Sequence, residues 1–264
     1  MRLFLFLLCL LPFSALAADS LLAVIPAKGR LIATDELGNV YLLRTDNTLT
    51  RFNPNGDSTA FYRSLYNGDI AQIDATNPLR VLLFYPQQKK IVVLDRMMAK
   101  KSELDLRQYR SFMPTAISTT PEGNIYVYDY LEARLFQISE SGAKELLSGS
   151  NDLRQELGFV PEINFMILRD RRLYLADSSR GVFVFDNYGT YMQTLPLTGI
   201  RALQVFGKQL VYRQGEELIA YNTDNFSTQQ LRLPVGEGHL LQALLGRERL
   251  YLLYEDRLEL WLKN

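Results

Sequence analysis

The side chains that most often carry catalysis are sparse in this sequence. It contains one histidine, His239, and one cysteine, Cys9. A histidine can act as a general base or as a metal ligand, but both uses normally require further groups beside it. We therefore predict that His239, which follows Gly236 and Gly238, is a loop residue at the start of a repeated unit rather than a catalytic or metal-binding residue.

Carboxylates are the next candidates for acid–base chemistry or for a calcium site. Four of them lie near the ends of predicted strands and could line a channel: Asp35, Glu36, Asp74 and Glu162. They do not have the spacing of a calcium-binding loop. The sequence also lacks a zinc motif, a phosphate-binding loop and a nucleophile elbow. We predict no catalytic residue, no metal and no cofactor.

Two further aspartates, Asp129 and Asp177, follow predicted strands at equivalent positions. A short carboxylate at the start of a turn usually accepts hydrogen bonds from backbone N–H groups of the loop that follows. We predict this structural role for both residues.

Aromatic side chains outside the predicted strands are the main candidates for binding. A ring held in a loop by a rigid scaffold can anchor a partner. The same ring can instead fill a gap between repeated units, and both uses stay open at this point. The candidate binding residues are Tyr66, Tyr85, Tyr109, Phe112, Tyr130 and Phe159, with Arg107, Arg110 and Arg154 as possible hydrogen-bond donors.

The strands that would position these side chains form a repeat. The stretch from Gly123 to Ser139 reads as two short strands joined by a tight turn, and similar pairs occur six times. Five steps separate Tyr41 from Tyr251, and they average about 42 residues. A period of this length, with short strands rich in Tyr, Phe, Val, Ile and Leu, is typical of a propeller blade.

Each blade needs four strands, and candidates for an inner and an outer strand flank each pair. The sixth copy has only three, but residues 21–25 form a spare strand ahead of the first copy. We therefore predict an all-β, six-bladed β-propeller whose last blade is closed by this N-terminal strand, which removes an open sheet edge. Residues 151–158 are predicted to form a short helical insertion. A β-sandwich or an open set of meanders is the alternative.

The stretch from Gly123 to Ser139 also resembles an NHL-type repeat. The matching residues are Gly123, Ile125, Tyr126, Val127, Asp129, Arg134 and Phe136, with a partial match at Leu173, Tyr174, Asp177 and Phe185. The wider resemblance is to the six-bladed NHL, YWTD and TolB-like propellers. It implies the fold only, because such propellers include lactonases, sugar dehydrogenases, lyases and pure binding modules.

The first residues are typical of an export signal. A basic start is followed by an apolar run at Leu3–Phe13 and by small residues at Ala15 and Ala17. We predict a signal peptide over residues 1–17 that is cleaved after Ala17, with residues 18–264 forming one propeller domain. An uncleaved membrane anchor is the alternative.

The remaining composition excludes several partner classes. Loss of Arg2 with the signal leaves 28 basic and 29 acidic side chains, a balance that attracts neither nucleic acid nor an anionic membrane. No later apolar run reaches the length of a transmembrane helix. We predict a periplasmic or secreted, non-enzymatic module that holds a protein partner, within a cell-envelope assembly. The alternative is a carbohydrate- or lactone-directed enzyme, or a glycan-binding propeller, that uses the channel mouth.

Overall fold

The computed structural model describes residues 19–147, 152–215, 217–234 and 236–263. The predicted signal peptide, residues 1–17, lies outside this part of the chain. The described residues form six antiparallel sheets of four strands each, with one 3-10 turn and one short helix. The six-bladed, all-β propeller predicted from the repeat is confirmed.

Each sheet is one blade, and the strands are numbered in chain order after β1 (Ser20–Pro26). Blade 1 contains β2 (Gly29–Thr34), β3 (Val40–Arg44), β4 (Leu49–Phe52) and β5 (Ser58–Tyr62). Blade 2 contains β6 (Gln72–Asn77), β7 (Arg80–Tyr85), β8 (Lys90–Asp95) and β9 (Lys100–Asp105). Blade 3 contains β10 (Pro114–Thr119), β11 (Ile125–Asp129), β12 (Arg134–Ile138) and β13 (Lys144–Leu146).

The second half of the chain continues the pattern. Blade 4 contains β14 (Ile163–Arg169), β15 (Arg172–Asp177), β16 (Gly181–Asp186) and β17 (Tyr191–Leu195). Blade 5 contains β18 (Leu203–Phe206), β19 (Gln209–Gln214), β20 (Glu217–Asn222) and β21 (Thr228–Leu231). Blade 6 contains β22 (Leu240–Leu245), β23 (Arg249–Tyr254) and β24 (Arg257–Leu262), and β1 is its fourth strand.

In blades 1 to 5 the order of strands follows the chain, and the first strands of blades 6, 1, 2, 3 and 4 contact one another in succession. Because successive strands are antiparallel, two kinds of connection lie at the same end of the propeller: the turns between second and third strands, and the segments between blades. We call this end the connection face and the other end the opposite face.

The second and third strands of each blade form the core. In β7 and β15, every residue after the first is buried, because neighbouring blades cover both faces of the sheet. Near-continuous apolar runs of this length are typical of fully buried strands. The outer strands differ, and β9 is a largely charged strand exposed at its start.

The ring is closed by pairing between β1 and β24. Leu21 lies opposite Trp261 and Ala23 lies opposite Leu260, so Leu22 is an extra residue that forms a bulge. Ala23 packs against the apolar core between blades 6 and 1. The predicted closure of the last blade by the N-terminal strand is confirmed.

Glutamine side chains join inner strands of neighbouring blades that share no sheet. Gln242 of blade 6 accepts from the Ile32 N–H at 2.8 Å and donates to the Ile32 carbonyl at 3.1 Å. Gln204 of blade 5 makes the same pair of hydrogen bonds with Leu245, both at 2.8 Å. A primary amide can satisfy one backbone N–H and one C=O together, so it replaces a strand partner.

A third glutamine links the inner strands of three blades. Gln72 of blade 2 donates to the Ile117 carbonyl of blade 3 at 2.7 Å and to the Met166 carbonyl of blade 4 at 3.2 Å. Next to it, the Asp74 carboxylate accepts from the Thr119 N–H at 2.7 Å. Gln72 is 7% exposed, so its amide is buried between these inner strands.

The short helix predicted within residues 151–158 is also present. Helix α1 spans Leu153–Leu157, between blades 3 and 4. Asp152 caps its N-terminus by accepting from the Arg154 N–H at 2.9 Å, and Gly158 ends it in the left-handed region at φ +79°.

Ring closure can be tested at a close contact between β1 and blade 1. A Cβ at Gly56 (φ +91°) would lie 2.8 Å from the Cβ of Ala23. A Cβ at Gly199 (φ +77°) would meet nothing within 4 Å. Both Gly56→Ala and Gly199→Ala should lower the free energy of unfolding by roughly 1–2 kcal/mol, because alanine is strained at a positive φ. Gly56→Ala should lose about 1 kcal/mol more, because its new methyl group clashes with Ala23.

Urea unfolding of both variants measures this difference. Equal losses would mean that β1 does not pack against this turn as described.

Candidate functional site

The carboxylates that could have formed a catalytic or calcium site do not converge. Asp35 follows β2 on the opposite face, where it accepts from the Asn39 N–H at 2.9 Å and from the Tyr41 hydroxyl at 3.0 Å. Glu162 precedes β14 on the connection face. Among the described residues, no group of three His, Cys, Asp or Glu side chains is arranged to hold a metal ion.

His239 immediately precedes β22 on the connection face, at the start of blade 6 as predicted. Its side chain is exposed, and Nδ1 lies 3.4 Å from Oε1 of Glu255 in the next turn of the same blade. An exposed pair of this kind contributes little to stability.

Asp129 fastens the segment between blades 2 and 3 to the turn between the second and third strands of blade 3. Its carboxylate is buried and accepts three hydrogen bonds: from the Glu132 N–H at 3.0 Å, the Met113 N–H at 3.0 Å and the Ser111 hydroxyl at 2.6 Å. The predicted structural role is present, but two of the donors come from the preceding segment rather than from the following loop.

Asp177 does the same in blade 4. It accepts from the Ser179 N–H at 2.9 Å and the Arg180 N–H at 3.1 Å in the following turn, and from the Glu162 N–H at 2.8 Å in the preceding segment. Burial raises the pKa of the Asp177 carboxyl, but these hydrogen bonds outweigh it and hold the pKa below its ordinary value.

The segment between blades 2 and 3 carries four of the nine predicted binding residues. It begins with a 3-10 turn over Leu106–Tyr109, capped by Asp105. The Arg107 guanidinium bonded to this carboxylate lowers the Asp105 pKa to about 2. Arg110 ends the turn in the left-handed region at φ +55°, and the chain then reaches Phe112.

Three large apolar side chains are exposed around this segment. Phe112 is 51% exposed, Met113 is 49% exposed and Leu131, in the turn between β11 and β12, is 56% exposed. The Tyr130 N–H donates to the Met113 carbonyl at 2.9 Å, so the turn and the segment lie side by side. We call Phe112, Met113 and Leu131 the loop patch.

A cleft lies beside the loop patch, between blades 2 and 3. Its volume is about 260 Å³. Its floor is the outer half of blade 3, formed by alternate residues of β12 and β13, and the interblade segment covers it. The lining residues are Arg110, Phe112, Asp129, Glu132, Arg134, Phe136, Lys144 and Leu146. We call it the blade 2–3 cleft.

A second cleft repeats this arrangement one blade further on. It has a volume of about 370 Å³, and α1 with Phe159 covers the outer half of blade 4. The Arg180 guanidinium lies 4.3 Å from the centre of the Phe159 ring, which is 5.9 Å from the Phe183 ring. We call it the blade 3–4 cleft.

The structure brings together seven of the nine candidate binding residues. They lie in the two interblade segments and in the turn between them: Arg107, Tyr109, Arg110, Phe112, Tyr130, Arg154 and Phe159. Arg154 donates to the Glu132 carbonyl at 3.0 Å, which ties α1 to the blade 3 turn. Of the seven, only Phe112 is a large apolar side chain that is mostly exposed.

The other two candidates differ from the prediction and from each other. Tyr66 lies in the preceding interblade segment and is 89% exposed. Tyr85 is not in a loop: it is the last residue of β7 and is 1% exposed, packed in the core between blades 1 and 2. Burial raises the pKa of its hydroxyl. Tyr85 is therefore part of the packing and offers no surface to a partner.

Several residues of this surface were not identified from the sequence. Met113 and Leu131 each follow an aromatic residue that was predicted to bind a partner. An apolar residue inside a polar turn could have identified them as part of the same surface. Lys144 and Leu146 alternate along β13, which only shows that both face the same way. That Lys144 and Leu146 face Arg110 and Phe112 depends on how the segment between blades 2 and 3 folds across blade 3.

Neither a protein-family model nor a curated protein matches this sequence. Solved structures do share its fold. Virginiamycin B lyase from Staphylococcus aureus superposes with a TM-score of 0.66 at 13% identity, over 92% of this chain and 99% of the lyase. The Pan2 WD40 domain from Neurospora crassa gives a TM-score of 0.61 at 12% identity, over 93% of this chain and 95% of that domain.

A third similar structure belongs to a larger protein. PorZ, an essential bacterial surface component of the type-IX secretion system of Porphyromonas gingivalis, gives a TM-score of 0.51 at 13% identity. The match covers 93% of this chain and 38% of PorZ. At these identities the likenesses show a propeller fold and carry no activity or partner over to this protein.

The buried carboxylate of Asp177 makes stability depend on pH. Because its pKa is lower in the folded than in the unfolded protein, its contribution is present above about pH 4 and is lost as the pH falls through the folded pKa. Asp177→Asn should cost roughly 2 kcal/mol at pH 7 and less at pH 3. The matched control is Asp224→Asn, which changes an exposed carboxylate.

Urea unfolding at both pH values measures the difference. A loss from Asp177→Asn that is the same at pH 7 and pH 3 would contradict this assignment.

Proposed function

We propose that this protein is an exported, non-enzymatic propeller that holds a protein partner on its connection face, within a cell-envelope assembly. The loop patch is the observation that carries the proposal. Phe112, Met113 and Leu131 are each about half exposed and come from two segments that lie side by side. Clustered exposed apolar side chains bordered by polar groups are typical of protein interaction sites.

The way the patch is held supports the same function. The Asp129 carboxylate fixes both segments through the Met113 and Glu132 N–H groups. A surface whose backbone is already ordered loses little conformational entropy on binding. The patch is therefore suited to a partner that docks on a preformed surface.

Export is supported by the first 17 residues, whose basic start, apolar run and Ala-x-Ala end are those of a signal peptide. In the part of the chain that the structure describes, no helix is long and apolar enough to cross a membrane. A propeller of this fold also occurs in PorZ, described as a bacterial surface component, so the fold is used in the cell envelope.

An enzyme acting at the channel mouth has less support. Asp35 and Glu162 lie at opposite ends of the propeller. A histidine-to-alanine variant of the virginiamycin B lyase is described as catalytically inactive. Here the one histidine, His239, is exposed beside Glu255.

The loop patch can be tested by a paired substitution. Phe112→Ser with Leu131→Ser should reduce recovery of a cross-linked envelope partner at least tenfold, because anchors at the centre of an interface carry most of its binding energy. The control is Leu37→Ser with Leu79→Ser, two leucines of the opposite face that are 62% and 63% exposed.

Recovery is measured by affinity purification of the tagged, exported protein and quantitative mass spectrometry, with thermal unfolding as a check on folding. If the two double variants recover the same partner equally well, the connection face is not the binding surface.

A further inference from the structure

The blade 2–3 cleft carries more positive charge than its own acids can offset. Three cationic side chains line it, Arg110, Arg134 and Lys144, against two carboxylates, Asp129 and Glu132. Asp129 is buried and already accepts hydrogen bonds from Ser111, Met113 and Glu132. Glu132 forms an ion pair with Arg134 at 3.8 Å, so three cations still stand against two carboxylates.

Lys144 is held in place at the floor of the cleft. Its ammonium group donates to the Tyr109 carbonyl at 2.6 Å and lies 4.2 Å from the centre of the Phe136 ring. Burial lowers the pKa of this ammonium group. A fixed and partly desolvated cation interacts more strongly with an anion than a mobile surface lysine does.

Arg134 and Arg110 complete the cationic wall. The Nε atom of Arg134 is buried and has no hydrogen-bond partner among the described residues, while the rest of its side chain is 44% exposed. Arg110 is exposed at the end of the 3-10 turn, where its backbone is fixed by a hydrogen bond to the Arg107 carbonyl. Guanidinium groups suit the planar, two-oxygen geometry of a carboxylate.

Apolar side chains stand directly beside these charges. Phe112, which belongs to the loop patch, and Leu146 are both about half exposed at the cleft. A small inorganic anion would leave both uncovered. A polypeptide segment can place a carboxylate on the cations and an apolar side chain on Phe112 and Leu146 at the same time.

The blade 3–4 cleft shows what the same architecture looks like without this charge excess. Its cation, Arg180, stacks on Phe159 and lies 3.7 Å from the Asp177 carboxylate. Glu156 supplies a further negative charge at the rim. The excess of cations is therefore a property of the blade 2–3 cleft and not of interblade clefts in general.

We propose that the blade 2–3 cleft binds an extended polypeptide segment of the partner in which an acidic residue stands next to a large apolar residue. The carboxylate meets Arg110, Arg134 and Lys144, and the apolar side chain covers Phe112 and Leu146. This inference rests on the proposed function, because it assigns a sequence type to the partner that docks at the loop patch.

The first test is selection of a phage-displayed random heptapeptide library on the mature protein. Peptides that bind the native protein should be enriched in Asp or Glu beside Phe, Leu, Ile or Trp. The enrichment should disappear on Arg110→Gln with Lys144→Gln and persist on Arg201→Gln with Lys101→Gln, which remove two exposed cations elsewhere. Selection without acidic enrichment, or enrichment that survives the cleft variant, would overturn the proposal.

The second test measures affinity directly. One selected peptide, labelled with fluorescein, should bind the cleft variant at least tenfold more weakly than the control variant, and replacing its acidic residue by the matching amide should cause a similar loss. Binding to the native protein should weaken as salt is raised. Arg110→Gln alone should show part of the loss, since this exposed side chain can change without affecting the fold.

The envelope partner separates this inference from the proposed function. If the loop-patch variant loses the partner and the cleft variant keeps it, the proposed function stands and the cleft assignment fails. If both variants keep the partner, both fail. Loss of the partner with both variants, together with acidic enrichment in the library, supports both. Loss with the cleft variant alone supports the cleft assignment and contradicts the loop patch as the anchor.

Discussion

Closure of the ring is the constraint on which the rest of the structure depends. A blade buries both faces of its sheet only when it lies between two neighbours, so an unclosed ring would expose the apolar faces of its first and last blades. Pairing of β1 with β24 supplies the missing strand of blade 6 and ties the N-terminal strand to the last one. The amides of Gln72, Gln204 and Gln242 then join inner strands that share no backbone pairing.

A closed ring leaves the segments between blades free to differ. Those on either side of blade 3 contain the 3-10 turn and α1, and each covers the outer half of the blade that follows it. The buried carboxylates of Asp129 and Asp177 hold these segments against the turn between the second and third strands of the blade that follows. Two equivalent clefts result, and their differences come from side chains and not from a different architecture.

Overall charge balance hides a local imbalance. The chain has equal numbers of basic and acidic side chains, 29 of each, which argues against a nucleic-acid or membrane partner. In the blade 2–3 cleft, however, three cations, Arg110, Arg134 and Lys144, face only two carboxylates. One of these carboxylates, Asp129, is already hydrogen-bonded. Composition averages over the surface, whereas binding depends on the charges that share one cleft.

The repeat by itself determined the number of blades and the closure by residues 21–25, and residues 151–158 indicated the short helix, because strand, turn and helix patterns are local. It also predicted that Asp129 and Asp177 bind backbone N–H groups. The prediction that Tyr85 is a binding residue was wrong. It is the last residue of β7, and the sequence pattern alone does not distinguish the end of a strand from the start of a loop. The charge cluster around Lys144 was decided by tertiary structure, because Arg110 meets Arg134 and Lys144 of blade 3 only when the interblade segment folds across that blade.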